Sequence, residues 1–318
     1  MRTIKSKGLL YLDFRKDYFR LFKAEPQVVT RTGPFFLDLE ERMQDGHFDQ
    51  FDAEGLPVRM YRGRVVHNYT TLCAFAFGHW QRFLMGVGES ADFVLKVAEY
   101  IRKTGKVTPD GGFLLLTPGS KGEHDGFPSA MNQGHAVGVL CRAHELTGDE
   151  TYIKIAEDCI RPFDLPVEFG GVRAHFSAID SPWFEERAEK PYRHIFNGMI
   201  YALVGIRDYL RWRPDDSRAL RLWGEGIDSV EKALPLFDLG YWSLYWYGEG
   251  HPHYVASLIY QNLHVCQLRY VFVETGIELF DRMALRFSGY LRSPFSRARA
   301  AGRIALEKSA GKFWKSSS

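Results

Sequence analysis

The stretch W-F-E-E-R-A-E-K-P-Y-R-H-I-F-N-G-M-I-Y-A-L-V-G, Trp183 to Gly205, changes character in the middle. Its first half is polar and holds adjacent carboxylates, Glu185 and Glu186, while its second half opens a long apolar helix at Asn197. A carboxylate on a loop at the mouth of a buried helix combines access with rigid support, which is what a catalytic base requires. A solvated charge cluster before a helix looks the same locally, so the rest of the chain has to decide.

Working outward, apolar segments of helical spacing begin near Tyr69, Gln133, Gly198 and Leu263, and an asparagine stands directly before each: Asn68, Asn132, Asn197 and Asn262. The intervals of 64, 65 and 65 residues predict four units of one kind. Each unit holds an apolar helix, a tight turn such as Thr147-Gly148-Asp149 or Thr275-Gly276, and an amphipathic helix expected at 90–103, 149–161, 216–234 or 277–291. That is an αα-hairpin with its apolar helix inside and its second helix facing water. The long connections carry Gly and aromatic residues, as at 110–113, 169–171 and 238–242, with β-like runs such as Phe113 to Thr117, so each is expected to hold a strand pair. Four such hairpins close into a ring. The predicted fold is mainly α, an α/α toroid of about four helical hairpins with short β-hairpin insertions in the loops. Repeated loops on one side build its binding face, and the asparagines stand at the inner-helix mouths as N-caps or as substrate contacts.

The toroid is expected over residues 56–291, after an N-terminal arm of short strands or one-turn helices at 1–55. A basic tail follows at 292–318, where Arg292, Arg297, Arg299, Arg303, Lys308, Lys312 and Lys315 face the single Glu307. It reads as a solvated terminus, with peripheral contact to an anionic membrane or glycan as the alternative.

Of the 318 residues 45% are hydrophobic and 25% charged, an ordinary globular composition. The net charge of +2 supplies no electrostatic case for nucleic acid. Aromatics reach 15%, many of them in the loops, which suits a carbohydrate cleft or an aromatic-rich core. Cys73, Cys141, Cys159 and Cys266 are scattered singly, as buried apolar thiols of a reducing compartment would be, and not as metal ligands. The apolar run at the start ends at Asp13, too short for a signal peptide, and no stretch of about 18 apolar residues occurs. A cytoplasmic protein is expected.

No G-x-S-x-G, Walker A, G-x-G-x-x-G or H-E-x-x-H pattern is present, which leaves acyl transfer, phosphoryl transfer, nicotinamide chemistry and zinc proteolysis without support. What the chain does carry is P-S-A-M-N-Q-G-H-A at 128–136, W-F-E-E at 183–186 ahead of F-N-G at 196–198, and Y-Q-N-L-H-V-C-Q-L at 260–268. In this order the chain resembles the glucuronyl C5-epimerases, which convert glucuronic to iduronic acid within heparan-type polysaccharides. The segments are similar to that family's S-A-M-x-Q-G-Q-A, to its W-F-E-E ahead of F-N-G, and to its Y-H-x-x-H-I-N-Q-L. E-G-L-P-V at 54–58, with Tyr69 beyond it, adds a weaker likeness. The resemblance covers the family's C-terminal toroid, here about 55–291.

The resemblance implies that Glu186 is the catalytic glutamate, that Tyr245 and Tyr260 are the two late catalytic tyrosines, and that Asn197 is an active-site asparagine. Where the family has E-E-Y, this chain has Arg187. Further substrate contacts are expected from Arg187, Tyr69, Asn132, Gln133, Trp183 and His264, the last spaced i, i+4 from Tyr260. A uronic-acid-containing oligo- or polysaccharide is the implied partner, with no cofactor or metal, and the family likeness suggests a homodimer.

The chemistry agrees with this set. The C5 proton lies α to a carboxylate and is weakly acidic, so its removal needs a base on one face and neutralisation of the developing charge. Inversion then needs a proton donor on the opposite face. Glu186 on one face, Tyr260 on the other with Tyr245 assisting, and Arg187 or another cation on the carboxylate would meet both demands. A lyase begins with the same abstraction. A glycoside hydrolase would need a second carboxylate at about 5.5 or 6.5–9.5 Å, from Asp180, Asp238 or Glu249. A non-catalytic glycan-binding toroid is the alternative of another class.

Overall fold

The computed structural model describes residues 17–44, 48–61, 64–117, 126–250 and 252–315. The first sixteen residues of the expected arm, its loop residues 45–47, the last three residues of the tail and the side chains of Lys308, Lys312 and Lys315 lie outside what is described. The chain divides into two compact units, one of residues 21–192 and 198–229, the other of residues 17–20, 193–197 and 230–315.

The first unit opens with a bridge between Leu21 and Leu37 and a single helical turn, α1 (Glu40–Gln44). An antiparallel hairpin follows, β1 (Arg59–Tyr61) with β2 (Arg64–Val66). The inner helix α2 (Tyr69–Leu84) starts where Asn68, in extended backbone, accepts the Thr71 N–H at 3.1 Å. The amphipathic α3 (Ala91–Thr104) folds back on it. Next, β3 (Lys106–Val107) pairs with β4 (Phe113–Leu114), and β5 (Leu116–Thr117) with β6 (Phe127–Pro128), so the expected strand at Phe113 to Thr117 serves two hairpins. The helices α4 (Ala130–Thr147) and α5 (Glu150–Ile160) come next, then β7 (Arg173–Phe176) paired with β8 (Ser181–Phe184). The third hairpin is α6 (Phe196–Leu210) and α7 (Ser217–Phe237), of which this unit holds residues 198–229.

Two features bind α4 to α6. A Cβ on Gly134 would stand 2.7 Å from the Ala202 Cα, so only glycine lets the two backbones touch. About two turns further on, Arg142 and Asp208 form a buried ion pair at 2.7 Å. Arg142 also donates to the Gly138 carbonyl at 2.7 Å, which spreads its charge over more than one acceptor.

In the second unit, β9 (Leu244–Trp246) pairs with β10 (Tyr254–Val255), and α8 (Leu258–Thr275) packs with α9 (Glu278–Arg292). The segment 193–197 lies along β9 through a bridge between Ile195 and Trp246. Most of the expected tail forms α10 (Pro294–Lys315). Ala300 is buried, Glu307 accepts the Val255 N–H at 3.2 Å, and the Arg299 guanidinium lies 3.9 Å from the centre of the Tyr241 ring.

The expected hairpins are present, their outer helices close to the expected bounds. The inner helices α4 and α8 begin earlier than the asparagines suggest, because Ser129 and Ser257 supply the caps, each accepting at 3.4 Å from the N–H of Asn132 or Tyr260. Asn197 is already the second residue of α6. Of the four asparagines, Asn68 alone caps its helix.

The hydrogen bonds reveal a stricter register. Gln133 Oε1 accepts the Leu115 N–H at 2.8 Å and its Nε2 donates to the Cys159 carbonyl at 3.0 Å. Gln261 does the same to Ser243 at 2.8 Å and Phe287 at 3.3 Å, and in both cases the partners lie 18 residues before and 26 after. The turns match as well: Gly148 and Gly276 have φ of 70° and 71°, a left-handed conformation that glycine adopts without strain. Thr147 and Thr275 donate to the carbonyls of Ala143 and Val271 at 2.8 and 2.7 Å. All these positions are 128 residues apart, so Asn132 is equivalent to Tyr260 and Thr117 to Tyr245.

Candidate active site

The third residue of every inner helix meets a residue of the loop before it. In the first unit, Thr71 Oγ1 accepts from Arg59 Nε at 2.8 Å, and Asn132 Nδ2 donates to Thr117 Oγ1 at 2.6 Å. Gly198 faces Glu186, where a Cβ would stand 2.7 Å from the carboxylate Oε2. In the second unit Tyr260 meets Tyr245, with ring centres 4.4 Å apart and planes tilted by 43°. The loop partner lies 12 residues ahead in the Arg59 and Glu186 pairs and 15 ahead in the Thr117 and Tyr245 pairs.

Backbone pairing explains why Glu186 stands where it does. Glu185 extends the end of β8 by donating its N–H to the Val172 carbonyl at 2.7 Å, while its own carbonyl accepts the Ala130 N–H at 2.9 Å. The Ala188 N–H donates to the Pro128 carbonyl at 3.1 Å. Residues 185–188 are thereby fixed along the start of α4, and half-buried Glu186 rests on Gly198 at the start of α6. Arg187 lies with its guanidinium 4.9 Å from the Phe127 ring centre and is ion-paired to Glu189.

Gln133, Asn132, Trp183 and Tyr69 make contacts with neighbouring elements. Gln133 is fully buried, with a second Nε2 bond to the Phe113 carbonyl at 2.8 Å, so its amide is saturated by backbone. Asn132, 1% exposed, also accepts from Thr70 Oγ1 at 2.9 Å and joins α2 to β5. Trp183 is fully buried, perpendicular to the Phe176 ring at 5.5 Å. The Tyr69 hydroxyl donates to Thr104 Oγ1 at 2.9 Å, and burial raises its phenol above the ordinary range. Asn197 is buried, and its carbonyl accepts from Gln267 Nε2 at 3.0 Å.

His264 is fully buried with its ring 4.8 Å from Phe196, and burial lowers its pKa to about 3. The Ser243 hydroxyl donates its one hydrogen to Gln261 Oε1 at 2.6 Å, since that oxygen can only accept. His264 Nδ1, 2.8 Å from the same Ser243 oxygen, must therefore be the protonated nitrogen. Nε2 is left as a buried acceptor without a hydrogen bond among the described residues.

Sequence reasoning missed Arg59, Gly198, Ser243 and His194. His194 is fully buried with a left-handed φ of 39°, 3.4 Å from Glu249, and its carbonyl accepts the Tyr247 N–H beside the phenol pair. For Arg59 a signal existed: it precedes Thr71 by the same 12 residues that separate Glu186 from Gly198. Among the described residues no group of three His, Cys, Asp or Glu could hold a metal ion, and no helix is long and apolar enough to cross a membrane.

Paired helices with short strand pairs in their loops, and a loop residue in contact with the third residue of each inner helix, define an α/α toroid. Solved structures agree on that fold: cellobiose 2-epimerase from Bacillus thermoamylovorans, with a TM-score of 0.55 at 14% identity over 76% of this chain and 66% of that one, and cellobiose 2-epimerase from Spirochaeta thermophila, with 0.53 at 13% over 76% and 64%. Residues 117–289 match the family model described as the D-glucuronyl C5-epimerase C-terminus, and the chain belongs to that family. It is 30% identical to the D-glucuronyl C5-epimerase of Caenorhabditis elegans over 191 residues, 56% of this chain and 30% of that protein. It is 33% identical to the uncharacterized protein MJ1128 of Methanocaldococcus jannaschii over 157 residues, 49% of each. The chain thus spans half or less of these curated relatives.

Proposed function

We propose that this protein is a carbohydrate epimerase that inverts C5 of a hexuronic acid residue within a glycan, in the sense glucuronate to iduronate. The observation that carries the reading is the Tyr245–Tyr260 pair, which stands where the equivalent hairpin, with the same glutamine clamp and Thr-Gly turn, has a hydrogen-bonded Thr–Asn pair. Two phenols in ring contact at a helix mouth are suited to proton transfer. Glu186 and Tyr260 are the acid–base residues we assign from the family likeness, with Tyr245 assisting. Tyrosine can deliver the second proton, and a neighbouring phenol or cation stabilises the phenolate it leaves. Arg187, next to Glu186, is our assignment for the reacting carboxylate, for which it exchanges its partner Glu189. The His264 acceptor, on the same face of α8 as Tyr260, orients a hydroxyl donor.

The test is solvent deuterium incorporation at C5 in a panel of uronate glycans. Incorporation without chain cleavage, lost in Glu186→Gln and in Tyr260→Phe, is the expected result; incorporation that survives both changes refutes the assignment. An unsaturated product would mean a lyase, new reducing ends a hydrolase, and binding without exchange a non-catalytic toroid. The setting we infer is the cytoplasm, supported by four free and buried thiols. A heparan-type polymer, a homodimer and a peripheral membrane contact through α10 complete the proposal.

A further inference from the structure

We infer that Arg59 binds the carboxylate of a uronate flanking the reacting sugar, which makes the first hairpin an acidic-sugar subsite; the inference rests on the function proposed above. Arg59 occupies the place in the first hairpin that Glu186 occupies in the third, 12 residues before the third residue of the inner helix and in contact with it. Its Nε is anchored on Thr71 at 2.8 Å, which fixes the plane of the guanidinium. Its two terminal nitrogens have no hydrogen bond or ion pair among the described residues, and the residue is exposed. By contrast Arg187 is held by Glu189, Arg82 by Glu40 and Arg173 by Glu225. An arginine anchored through Nε and open at both Nη atoms presents an end-on fork, the geometry that takes a carboxylate through two parallel bonds.

A row of neighbouring residues leads from Arg59 towards Glu186 inside the first unit. Thr71 and Thr70 stand beside each other on α2, Thr70 donates to Asn132 of α4, and Asn132 donates to Thr117. Thr117 pairs across the strands with Phe127, on which Arg187 lies next to Glu186. Arg59 is anchored on α2 and Glu186 rests on α6, while α4 touches both helices. Neighbouring helix axes are about 8–10 Å apart and α4 touches both α2 and α6, so a single ring held at Glu186 does not reach Arg59, whereas a further uronate of a polymer does.

The experiment is a calorimetric titration of the full chain with two probes of alternating glucuronate and N-acetylglucosamine. One is a trisaccharide with a single central glucuronate; the other is an octasaccharide. Arg59→Gln is expected to weaken the octasaccharide about tenfold more than the trisaccharide, with Arg59→Lys recovering part of the loss as a cation without the fork. Equal weakening of both probes, or none of either, overturns the inference. Deuterium incorporation at C5 is read on the same octasaccharide to separate the two claims. Wild-type binding without incorporation refutes the epimerase reading while the titration still decides Arg59, and a wild type that does not bind the octasaccharide overturns both.

Discussion

The hairpin α4–α5 and the hairpin α8–α9 share one frame and differ in what it carries. In both, a buried glutamine clamps a loop N–H and an outer-helix carbonyl, and a Thr-Gly turn closes the hairpin. At the mouth one has Thr117 and Asn132 joined by a hydrogen bond, and the other has the tilted rings of Tyr245 and Tyr260 in contact. The same frame therefore holds two different mouth pairs, and side chains can be exchanged there without rebuilding the fold.

The largest expected effect separates the two pairs. Tyr260→Phe should lower C5 exchange by about 10²–10⁴-fold, the usual worth of a general acid or base, while leaving the melting temperature nearly unchanged. Asn132→Ala should do the reverse, losing stability through orphaned buried partners and keeping exchange within a few-fold. If both variants lose exchange equally with no change in melting, the distinction between frame and chemistry fails.

The clamps come next. Gln133→Leu and Gln261→Leu each strip a partner from a buried backbone N–H, at about 1–3 kcal/mol per orphaned group. Urea unfolding should show similar losses for the two. A loss confined to one would break the equivalence of the hairpins.

Gly198→Ala tests the third hairpin, where a methyl group would collide with Glu186. We expect a tenfold or greater fall in kcat/KM with a folded protein, read by exchange kinetics and circular dichroism; unchanged kinetics would mean that the position of Glu186 does not matter.

The smallest effect is a pH slope. His135 and His264, one in each hairpin, are held neutral by burial, with pKa values lowered to about 3 from an ordinary value near 6.5. Each stabilising contribution is complete above pH 6.5 and is lost as pH falls towards 3, because the unfolded chain then takes up a proton that the folded one refuses. Each histidine should steepen the fall by about 1.4 kcal/mol per pH unit within that window. His135→Leu should flatten the stability curve by one proton's worth. His135 is the cleaner of the two, since neither of its nitrogens has a hydrogen bond among the described residues.

The helical hairpins were legible because their signals are local: apolar periodicity over a few turns, and Thr-Gly at the closing bend. The asparagine spacing pointed to a repeat and gave the wrong register for it, since Asn262 sits two residues beyond the equivalent of Asn132. Caps made by Ser129 and Ser257 fix the true helix starts. Motif likeness singled out Gln133 and Trp183 along with Glu186, because buried frame residues and reactive ones recur together in a family pattern. The structure gives both of them packing or backbone work.

By itself the sequence determined the pairing of helices, the order of the loops and the residue types available for acid–base work, since all of these follow from neighbours a few positions apart. Only the tertiary structure decided which of those residues are spent on the frame and which stand open. A side chain such as Gln133 or Arg59 is saturated or left free by partners that folding brings to it from other elements, and no local pattern encodes that choice.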